Sequence, residues 1–301
     1  NEPTKWVRSM VVVRKPGSEK LRICIDPKAL NQALVRPRYP QPTIEDVLPK
    51  LANAKVFSIL DAKDGFWQVK LDEESSYLTT FWTPCGRAWW LRTPFGISPA
   101  PEEYQRRQAE HVADLEGVEV IADDHLVYGC GDSIQEAVAN HDRNLRALLE
   151  RAREVGLRFN SSKMKLRLPE VKYMGHLITA DGLKPDPAKV EAITRMEAPK
   201  DLKSMQRFMG FVNYLSKFMP RLSTVSEPIR KLACKDIDWR WQSEQEVAFK
   251  EIQRMATTAP LLKYYDVRKE VTIQCETSKS GLGGALLQEG LPIAYASRSM
   301  T

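Results

Sequence analysis

Two adjacent aspartates, Asp123 and Asp124, lie between two short apolar segments of this 301-residue chain. Neighbouring carboxylates repel each other, so a fold keeps them where water or a divalent cation offsets their charge. A third carboxylate, Asp61, ends the apolar segment 56–61. If these segments are neighbouring strands, Asp61 and Asp123 meet at one sheet end and can hold two Mg²⁺ ions for phosphoryl transfer. Two unrelated polar turns are the alternative.

The charge distribution suggests what such a site would face. The net charge is +6. Residues 1–50 carry ten Lys or Arg against five Asp or Glu, residues 51–150 nine against seventeen, and residues 151–172 seven against two. An acidic centre suits a divalent cation, and basic flanks suit a polyanion such as nucleic acid. Charged residues that merely solvate helices are the alternative.

Composition excludes several other classes of protein. The hydrophobic content of 43% is that of an ordinary globular protein, and no apolar run is long enough to span a membrane. The five cysteines are scattered without a C-x-x-C pair, which argues against a disulfide framework or a zinc site. The first residue is Asn1 and the end is abrupt, so we expect a processed or trimmed piece of a longer protein.

Hydrophobic periodicity predicts a mixed α+β chain in which the acidic pair joins two strands. Gly156 is the expected C-cap of a long amphipathic helix. The predicted strands are 11–13 and 21–25 around a Pro-Gly turn, 56–61, 67–71, 78–82 and 87–91, 118–128 with its turn, 164–168, 173–178, and the hairpin 271–274 with 282–288. The predicted helices are 44–51, 101–116, 133–155, 187–196, 201–218, 224–233 and 243–257.

The order of these motifs resembles that of the reverse transcriptases of gypsy-type long-terminal-repeat retrotransposons. The resemblance covers nearly the whole chain, and its specificity comes from the order rather than from any single motif. The matching segments are 21–26 with 30–31, 39–42, 57–61 with 65–68, 93–97 with 100–101, the acidic turn, 141 with 145, 160 with 163, 173–176, and 213–214 with 218 and 220.

The resemblance implies the fold and its division. It implies a right-hand polymerase fold of fingers, palm and thumb, followed by a truncated ribonuclease H-like segment. The expected domains are fingers and palm at 1–180, thumb and connection helices at 181–260, and the start of the ribonuclease H-like domain at 261–301.

The resemblance also implies catalytic roles. Asp61 and Asp123 are expected to be the main ligands of two Mg²⁺ ions, for which Mn²⁺ is a possible substitute. The backbone carbonyl of Ala62 is expected to help, and Asp124 is expected to be the third carboxylate. Such a site extends a primer on an RNA or DNA template and releases pyrophosphate.

Further residues match positions that bind the nucleotide and the primer in this family. Lys15 and Arg22 are expected to hold the triphosphate, and Phe66 to act as the steric gate that excludes a 2′-hydroxyl. Gln68 and Phe95 are expected to line the dNTP pocket. Residues 174–176, namely Met174, Gly175 and His176, resemble the hairpin that grips the primer end. For each, a structural role on a hairpin or in the core is the alternative.

The last segment departs from the family pattern. Residues 271–283 resemble the first strands of a ribonuclease H domain, but Glu276 stands where the first catalytic Asp is usual. Because the longer side chain displaces its carboxylate and the remaining acidic residues are missing, we expect a vestigial site and no ribonuclease H activity.

The resulting prediction is a reverse transcriptase, a nucleotidyltransferase that binds dNTPs and RNA/DNA or DNA/DNA primer–template duplexes. The alternative is a decayed or host-retained retroelement protein that binds nucleic acid or a partner without catalysis. An unrelated metal-dependent nuclease does not explain Lys15, Arg22 and Phe66 together. From the family's lifestyle we expect a cytoplasmic particle or the nucleus, without a membrane partner. The sequence leaves the oligomeric state open.

Overall fold

The protein forms two compact units in a computed structural model, which describes Thr4, residues 6–14, Glu19 and residues 21–234, 237–279 and 281–300. The first unit comprises residues 1–44 and 55–168, and the second comprises residues 45–54 and 169–301. Both units contain helices and strands, so the α+β prediction is confirmed. The finer division at residues 180 and 260 remains a prediction.

The elements up to residue 168 alternate between short strands and helices. They are β1 (Ser9–Arg14), β2 (Leu21–Asp26), α1 (Lys28–Ala33), α2 (Ile44–Val47) with a 3₁₀ helix (Leu48–Leu51), β3 (Ala54–Asp61), a 3₁₀ helix (Gly65–Gln68), α3 (Glu73–Leu78), β4 (Phe81–Thr83), β5 (Gly86–Ala88), α4 (Ala100–Val112), β6 (Val118–Ile121), β7 (Asp124–Cys130), α5 (Ile134–Val155), a 3₁₀ helix (Ser161–Lys163) and β8 (Lys165–Leu168).

The elements after residue 168 begin with three strands, continue with helices and end with three further strands. They are β9 (Glu170–Tyr173), β10 (His176–Thr179), β11 (Gly182–Pro185), α6 (Pro187–Thr194), α7 (Leu202–Tyr214), a 3₁₀ helix (Ser216–Phe218), α8 (Leu222–Val225), α9 (Glu227–Lys231), α10 (Ser243–Thr257), β12 (Thr272–Thr277), β13 (Gly281–Gln288) and β14 (Leu291–Ser299).

The first unit is built on a four-stranded sheet in the order β6-β7-β3-β8. Helices α4 and α5 contact this sheet. Helix α5 begins with a capping box between Ser133 and Glu136 and ends at Gly156, whose φ of 73° favours glycine. The core combines side chains from the strands and both helices: Leu60, Val112, Val118, Val120, Val127 and Leu148. Burying these apolar side chains fixes the sheet that carries the acidic residues.

A buried polar strut joins the centre of this sheet to α5. The Ser58 hydroxyl lies 2.7 Å from Nε2 of His141, and Nδ1 of His141 lies 3.2 Å from Oδ1 of Asp142. Ser58 and His141 are fully buried. The hydroxyl oxygen also accepts a hydrogen bond from the backbone N–H of Arg167, so the strut reaches β8. These bonds satisfy polar groups that would otherwise be costly to bury.

The second unit combines two antiparallel sheets with helices. The first sheet has the order β11-β10-β9 and the second the order β12-β13-β14. Helices α7 and α10 pack through Phe208 and Phe249, whose ring centroids are 4.8 Å apart. The predicted hairpin at the end of the chain gains a third strand, β14, whose half-exposed residues give only a weak apolar alternation.

Three local predictions are wrong. The predicted strand 67–71 does not form: its first two residues belong to the 3₁₀ helix Gly65–Gln68, because Asp64 and Gly65 turn the chain with φ of 61° and 41°, and Lys70 makes only an isolated bridge to Arg92. Residues 173–178 are two strands with a turn between them. Leu78 ends helix α3, whose N-cap Asp72 accepts a hydrogen bond from Ser75 N–H, so the predicted strand begins only at Phe81. In each case a turn or a cap outweighs the apolar pattern.

None of the helices within the described parts of the chain combines the length and the hydropathy that crossing a bilayer requires.

Candidate active site

The three predicted carboxylates come from two neighbouring strands of the central sheet. Asp61 ends β3, and Asp124 begins β7. The pairing of Ile121 with Asp124 leaves Ala122 and Asp123 as the two residues of the β6–β7 turn. The backbone N–H of Ala62 donates to the carbonyl of Asp123 at 2.7 Å, which ties the end of β3 to this turn. The predicted meeting of Asp61 with the acidic turn is therefore present.

A buried glutamine from α4 holds the β6–β7 turn, here called the catalytic turn (Ala122–Asp123). The Gln105 side-chain oxygen accepts a hydrogen bond from Ala122 N–H at 2.7 Å, and its Nε2 donates to the Val120 carbonyl at 3.0 Å. Ala122 has a φ of 52°, which is unusual for a residue with a Cβ. Gln105 is fully buried, so its bond to the Val120 carbonyl is shielded from water, and the two bonds together stabilise this strained conformation.

The pocket beside the catalytic turn has a volume of about 380 Å³. Five of the predicted site residues are among those that line it: Arg22, Asp61, Ala62, Phe95 and Asp123. The Arg22 guanidinium lies 4.5 Å from the centroid of the Phe95 ring, a distance suited to a cation–π contact. The pocket thus combines carboxylates with a positioned cation.

Lys163 is a further cation of this pocket, which Lys63 also lines, and sequence reasoning gave Lys163 no role. Its ammonium lies 2.9 Å and 2.7 Å from the two carboxylate oxygens of Asp61. The backbone N–H of Asn160 donates to the Asp61 carbonyl, which fixes the segment that carries Lys163. Because 102 positions separate the ion-pair partners, only the fold brings them together.

Acidic charge is concentrated at the catalytic turn. Burial raises the pKa of Asp123, and the neighbouring charges of Asp61 and Asp124 raise it further, whereas the Tyr104 hydroxyl and Lys163 act in the opposite direction. Burial and the charge of Asp61 also raise the pKa of Asp124. These directions mean that the site favours either protons or additional positive charge.

Two further neighbours crowd Asp123. A Cβ at Gly65 would lie 2.7 Å from Oδ1 of Asp123, so the absence of a side chain there makes room for this carboxylate. The hydroxyl of the buried Tyr104 is the second neighbour, and its approach to Asp123 favours the ionised carboxylate. Burial and the Asp123 charge raise the pKa of the Tyr104 phenol.

The residues present fit a hard divalent cation in chemistry, although they are not closed around one. Carboxylate oxygens are the ligands that Mg²⁺ prefers, and the Lys163 ammonium is a stand-in cation at Asp61. Among the described residues, no three carboxylate, imidazole or thiolate side chains converge closely enough to hold a metal ion together.

The other three residues predicted to bind the nucleotide differ in where they lie. Phe66 packs against Phe95 and Tyr104, with centroid distances of 5.2 Å and 5.4 Å. The Gln68 amide bonds to backbone groups of Lys63 and Arg158, so it braces the loop after β3. Lys15 lies outside the described residues. The nucleotide-binding roles of these residues remain predictions.

The residues predicted to grip the primer form the β9–β10 hairpin of the second unit. Tyr173 pairs with His176, which leaves Met174 and Gly175 as the turn residues. Burial lowers the pKa of His176, and its Nδ1 donates to the Met174 carbonyl at 2.9 Å. Glu276, predicted to be a vestigial ribonuclease H residue, lies on β12 and pairs with Arg221 at 2.8 Å.

The sequence is similar to known retroelement proteins along nearly its whole length. Residues 241–301 match the family model described as an RNase H-like domain found in reverse transcriptase. The chain is 33% identical over 294 residues to the retrovirus-related Pol polyprotein from transposon 412 of Drosophila melanogaster, covering 95% of this chain and 23% of that polyprotein. It is 27% identical over 299 residues to the Tf2-3 transposon polyprotein of Schizosaccharomyces pombe, covering 97% and 22%. The chain therefore spans less than a quarter of the length of these two relatives.

Solved structures agree on the fold. A foamy viral protease–reverse transcriptase in complex with double-stranded DNA superposes with a TM-score of 0.89 at 24% identity, covering 100% of this chain and 52% of that one. A foamy viral protease–reverse transcriptase with an RNA/DNA hybrid gives 0.82 at 23% identity, covering 100% and 40%. Residues 13–178, more than half of the chain, match the model described as reverse transcriptase (RNA-dependent DNA polymerase), and the chain belongs to this family.

Proposed function

We propose that the chain extends a nucleic-acid primer with dNTPs on an RNA or DNA template and releases pyrophosphate. The observation that carries this proposal is the pocket in which Asp61 and Asp123 share one space with Arg22 and Lys163. Carboxylates and cations side by side suit a reaction that moves a phosphoryl group between anionic partners.

In this proposal Asp61 and Asp123, assisted by the Ala62 carbonyl and Asp124, hold two Mg²⁺ ions, or Mn²⁺ as a substitute. When bound, such ions supply activation of the primer 3′-hydroxyl and neutralisation of the triphosphate charge. Arg22, oriented by the Phe95 ring, binds phosphate oxygens. Lys163 exchanges its Asp61 partner for substrate phosphate. Gln105 keeps the catalytic turn in place while these charges change.

The proposed partner is a primer–template duplex. The two foamy viral structures were determined with double-stranded DNA and with an RNA/DNA hybrid, which supports this choice. Backbone phosphates bind basic residues without regard to sequence, so we expect the affinity to fall as salt rises. The net charge of +6 is consistent with such binding.

A second candidate function is nucleic-acid binding without catalysis. The observation that favours it is that Asp61 is already paired with Lys163, and that no three metal-binding side chains converge within the described residues. At the ribonuclease H-like strands, the pairing of Glu276 with Arg221 likewise gives this carboxylate a structural role.

Primer extension on RNA and DNA templates tests the proposal. We expect Asp123→Asn to lower extension by roughly a thousandfold, because the change removes a carboxylate that would hold the cations neutralising the triphosphate charge. We expect duplex binding, measured by fluorescence anisotropy, to persist. The matched control is Asp132→Asn, which makes the same change just beyond the other end of β7.

The outcomes separate the two candidates. Extension by Asp123→Asn at the wild-type rate contradicts the assignment of the site. A wild-type protein that binds duplex but extends no primer with either metal supports the second candidate.

A further inference from the structure

The β9–β10 hairpin contains a strained turn, here called the primer turn (Met174–Gly175). Its residues have φ of 46° and 76°. A two-residue hairpin turn with positive φ at both positions is a type I′ turn, which usually has Asn-Gly or Gly-Gly. Methionine in this conformation costs about 1–2 kcal/mol. Strain of this kind persists only where the surroundings impose it.

One side chain from α7 imposes this conformation. The Tyr214 hydroxyl donates a short hydrogen bond to the Gly175 carbonyl and lies 3.5 Å from the Met174 carbonyl. Its ring stacks on His176, with centroids 5.3 Å apart and planes inclined by 28°. Because His176 itself donates to the Met174 carbonyl, both turn carbonyls are fixed from the same side.

The Tyr214 hydroxyl packs so closely against the primer turn that no side chain fits at Gly175. A Cβ at Gly175 would lie 2.0 Å from the Tyr214 hydroxyl oxygen. The Lys189 ammonium lies 5.6 Å from the Tyr214 ring and adds a positive charge beside the hairpin. Met174 is half-exposed, so the turn presents an accessible side chain on a fixed backbone.

We propose that Tyr214 is a positioning residue that holds the primer turn, through its hydroxyl, in the conformation that seats the 3′ end of a nucleic-acid primer. This inference rests on the proposed function. The ring alone supplies packing against His176, whereas only the hydroxyl bonds to the turn carbonyls. Removal of the hydroxyl should therefore affect primer seating more than folding.

The test compares Tyr214→Phe with Tyr264→Phe. Tyr264 donates through its hydroxyl to the carbonyls of Thr179 and Gly182, at 2.7 Å and 3.3 Å, across the other hairpin of the same sheet. Each change removes one hydroxyl that bonds to hairpin carbonyls. We expect Tyr214→Phe to raise the KM for primer–template about tenfold, with the KM for dNTP unchanged. Tyr264→Phe should leave both KM values unchanged. It should lower the melting temperature at least as much as Tyr214→Phe does.

A second readout does not need turnover. A 2-aminopurine base at the primer 3′ end should fluoresce differently when bound to Tyr214→Phe than to wild type or Tyr264→Phe. If Tyr214→Phe does not fold, Gly175→Ala, whose Cβ meets the hydroxyl, should show the same split between the two KM values.

Each outcome has a distinct meaning. Equal effects of the two tyrosine variants, or equal changes in the KM values for primer–template and dNTP, overturn the positioning role. A wild-type protein that extends no primer overturns the proposed function, and the 2-aminopurine signal then decides the inference alone.

Discussion

The catalytic turn and the primer turn each hold a strained residue in place, but through different side chains. Each is a two-residue hairpin turn with a strained, non-glycine first residue, Ala122 or Met174. The catalytic turn is held by the fully buried amide of Gln105, which pairs with backbone on both sides. The primer turn is held by the hydroxyl of a partly exposed tyrosine. A turn that must keep carboxylates in place is thus fixed from the core, whereas a turn proposed to meet a moving duplex is held at the surface.

The largest expected effect comes from breaking the brace of the catalytic turn. Gln105→Leu keeps the side-chain volume but leaves Ala122 N–H and the Val120 carbonyl without their partners. We expect the free energy of unfolding to fall by about 2–4 kcal/mol, because an unsatisfied buried group such as the Val120 carbonyl costs about 1–3 kcal/mol and the part-buried Ala122 N–H costs less. Primer extension should fall with it. Urea unfolding and extension assays measure both effects.

Gln108→Leu is the matched control for that change. Gln108 lies one helical turn later on α4 and is similarly buried, but its Oε1 has no hydrogen-bond partner among the described residues. Its replacement should cost less than about 1 kcal/mol. Equal losses for the two glutamines would show that Gln105 acts through packing alone.

A smaller expected effect is a pH dependence of stability that comes from His125, which lies just after the catalytic turn. Burial lowers the pKa of His125 to about 4, and neither ring nitrogen has a hydrogen-bond partner in the described portion of the structure. An unfolded chain has a histidine pKa of about 6.5. Between these values the unfolded chain binds a proton that the folded chain does not, so stability falls as the pH falls through this window.

His125→Leu removes this proton uptake. We therefore expect the variant to lose less stability than wild type between pH values of about 6.5 and 4. Urea unfolding at several pH values measures the difference. Parallel stability curves for the two proteins would contradict it. His176 donates through Nδ1 to the Met174 carbonyl of its own turn.

The smallest expected effect concerns strain in the primer turn. Met174→Asn creates the Asn-Gly pair that a type I′ turn favours, and it should raise the free energy of unfolding by about 1 kcal/mol. Met174→Ala keeps a Cβ without the tolerance of asparagine for positive φ, so it should give no such gain. Chemical denaturation compares the two variants. An equal gain for both would mean that the side chain, not the backbone, is the source of strain.

The parts of the site that were predictable depend on local patterns. Asp61, Asp123 and Asp124 end or begin apolar segments, so the strand pattern placed each of them at a strand end. Whether the two strands are neighbours in one sheet was left open by that pattern. Gly156 likewise marked the end of α5. Such signals lie within a few residues of the features that they predict.

The rest depends on contacts between distant residues. Lys163 reaches Asp61 across 102 positions, and Tyr214 reaches the Gly175 carbonyl from a helix 39 positions away. No local pattern specifies these pairs. A buried glutamine on an amphipathic helix, such as Gln105, is the one signal that could have been noticed, because a buried amide needs partners.

The strut through Ser58, His141 and Asp142 has a wider consequence. The order hydroxyl, imidazole, carboxylate is that of a serine hydrolase triad, and its distances of 2.7 Å and 3.2 Å suit one. Yet both Ser58 and His141 are sealed from solvent, and the Ser58 oxygen is already bonded to the backbone of Arg167. No ester or amide can approach such a nucleophile. Three groups that hydrolyse a substrate when they line an open cleft therefore serve here to hold β3, α5 and β8 together.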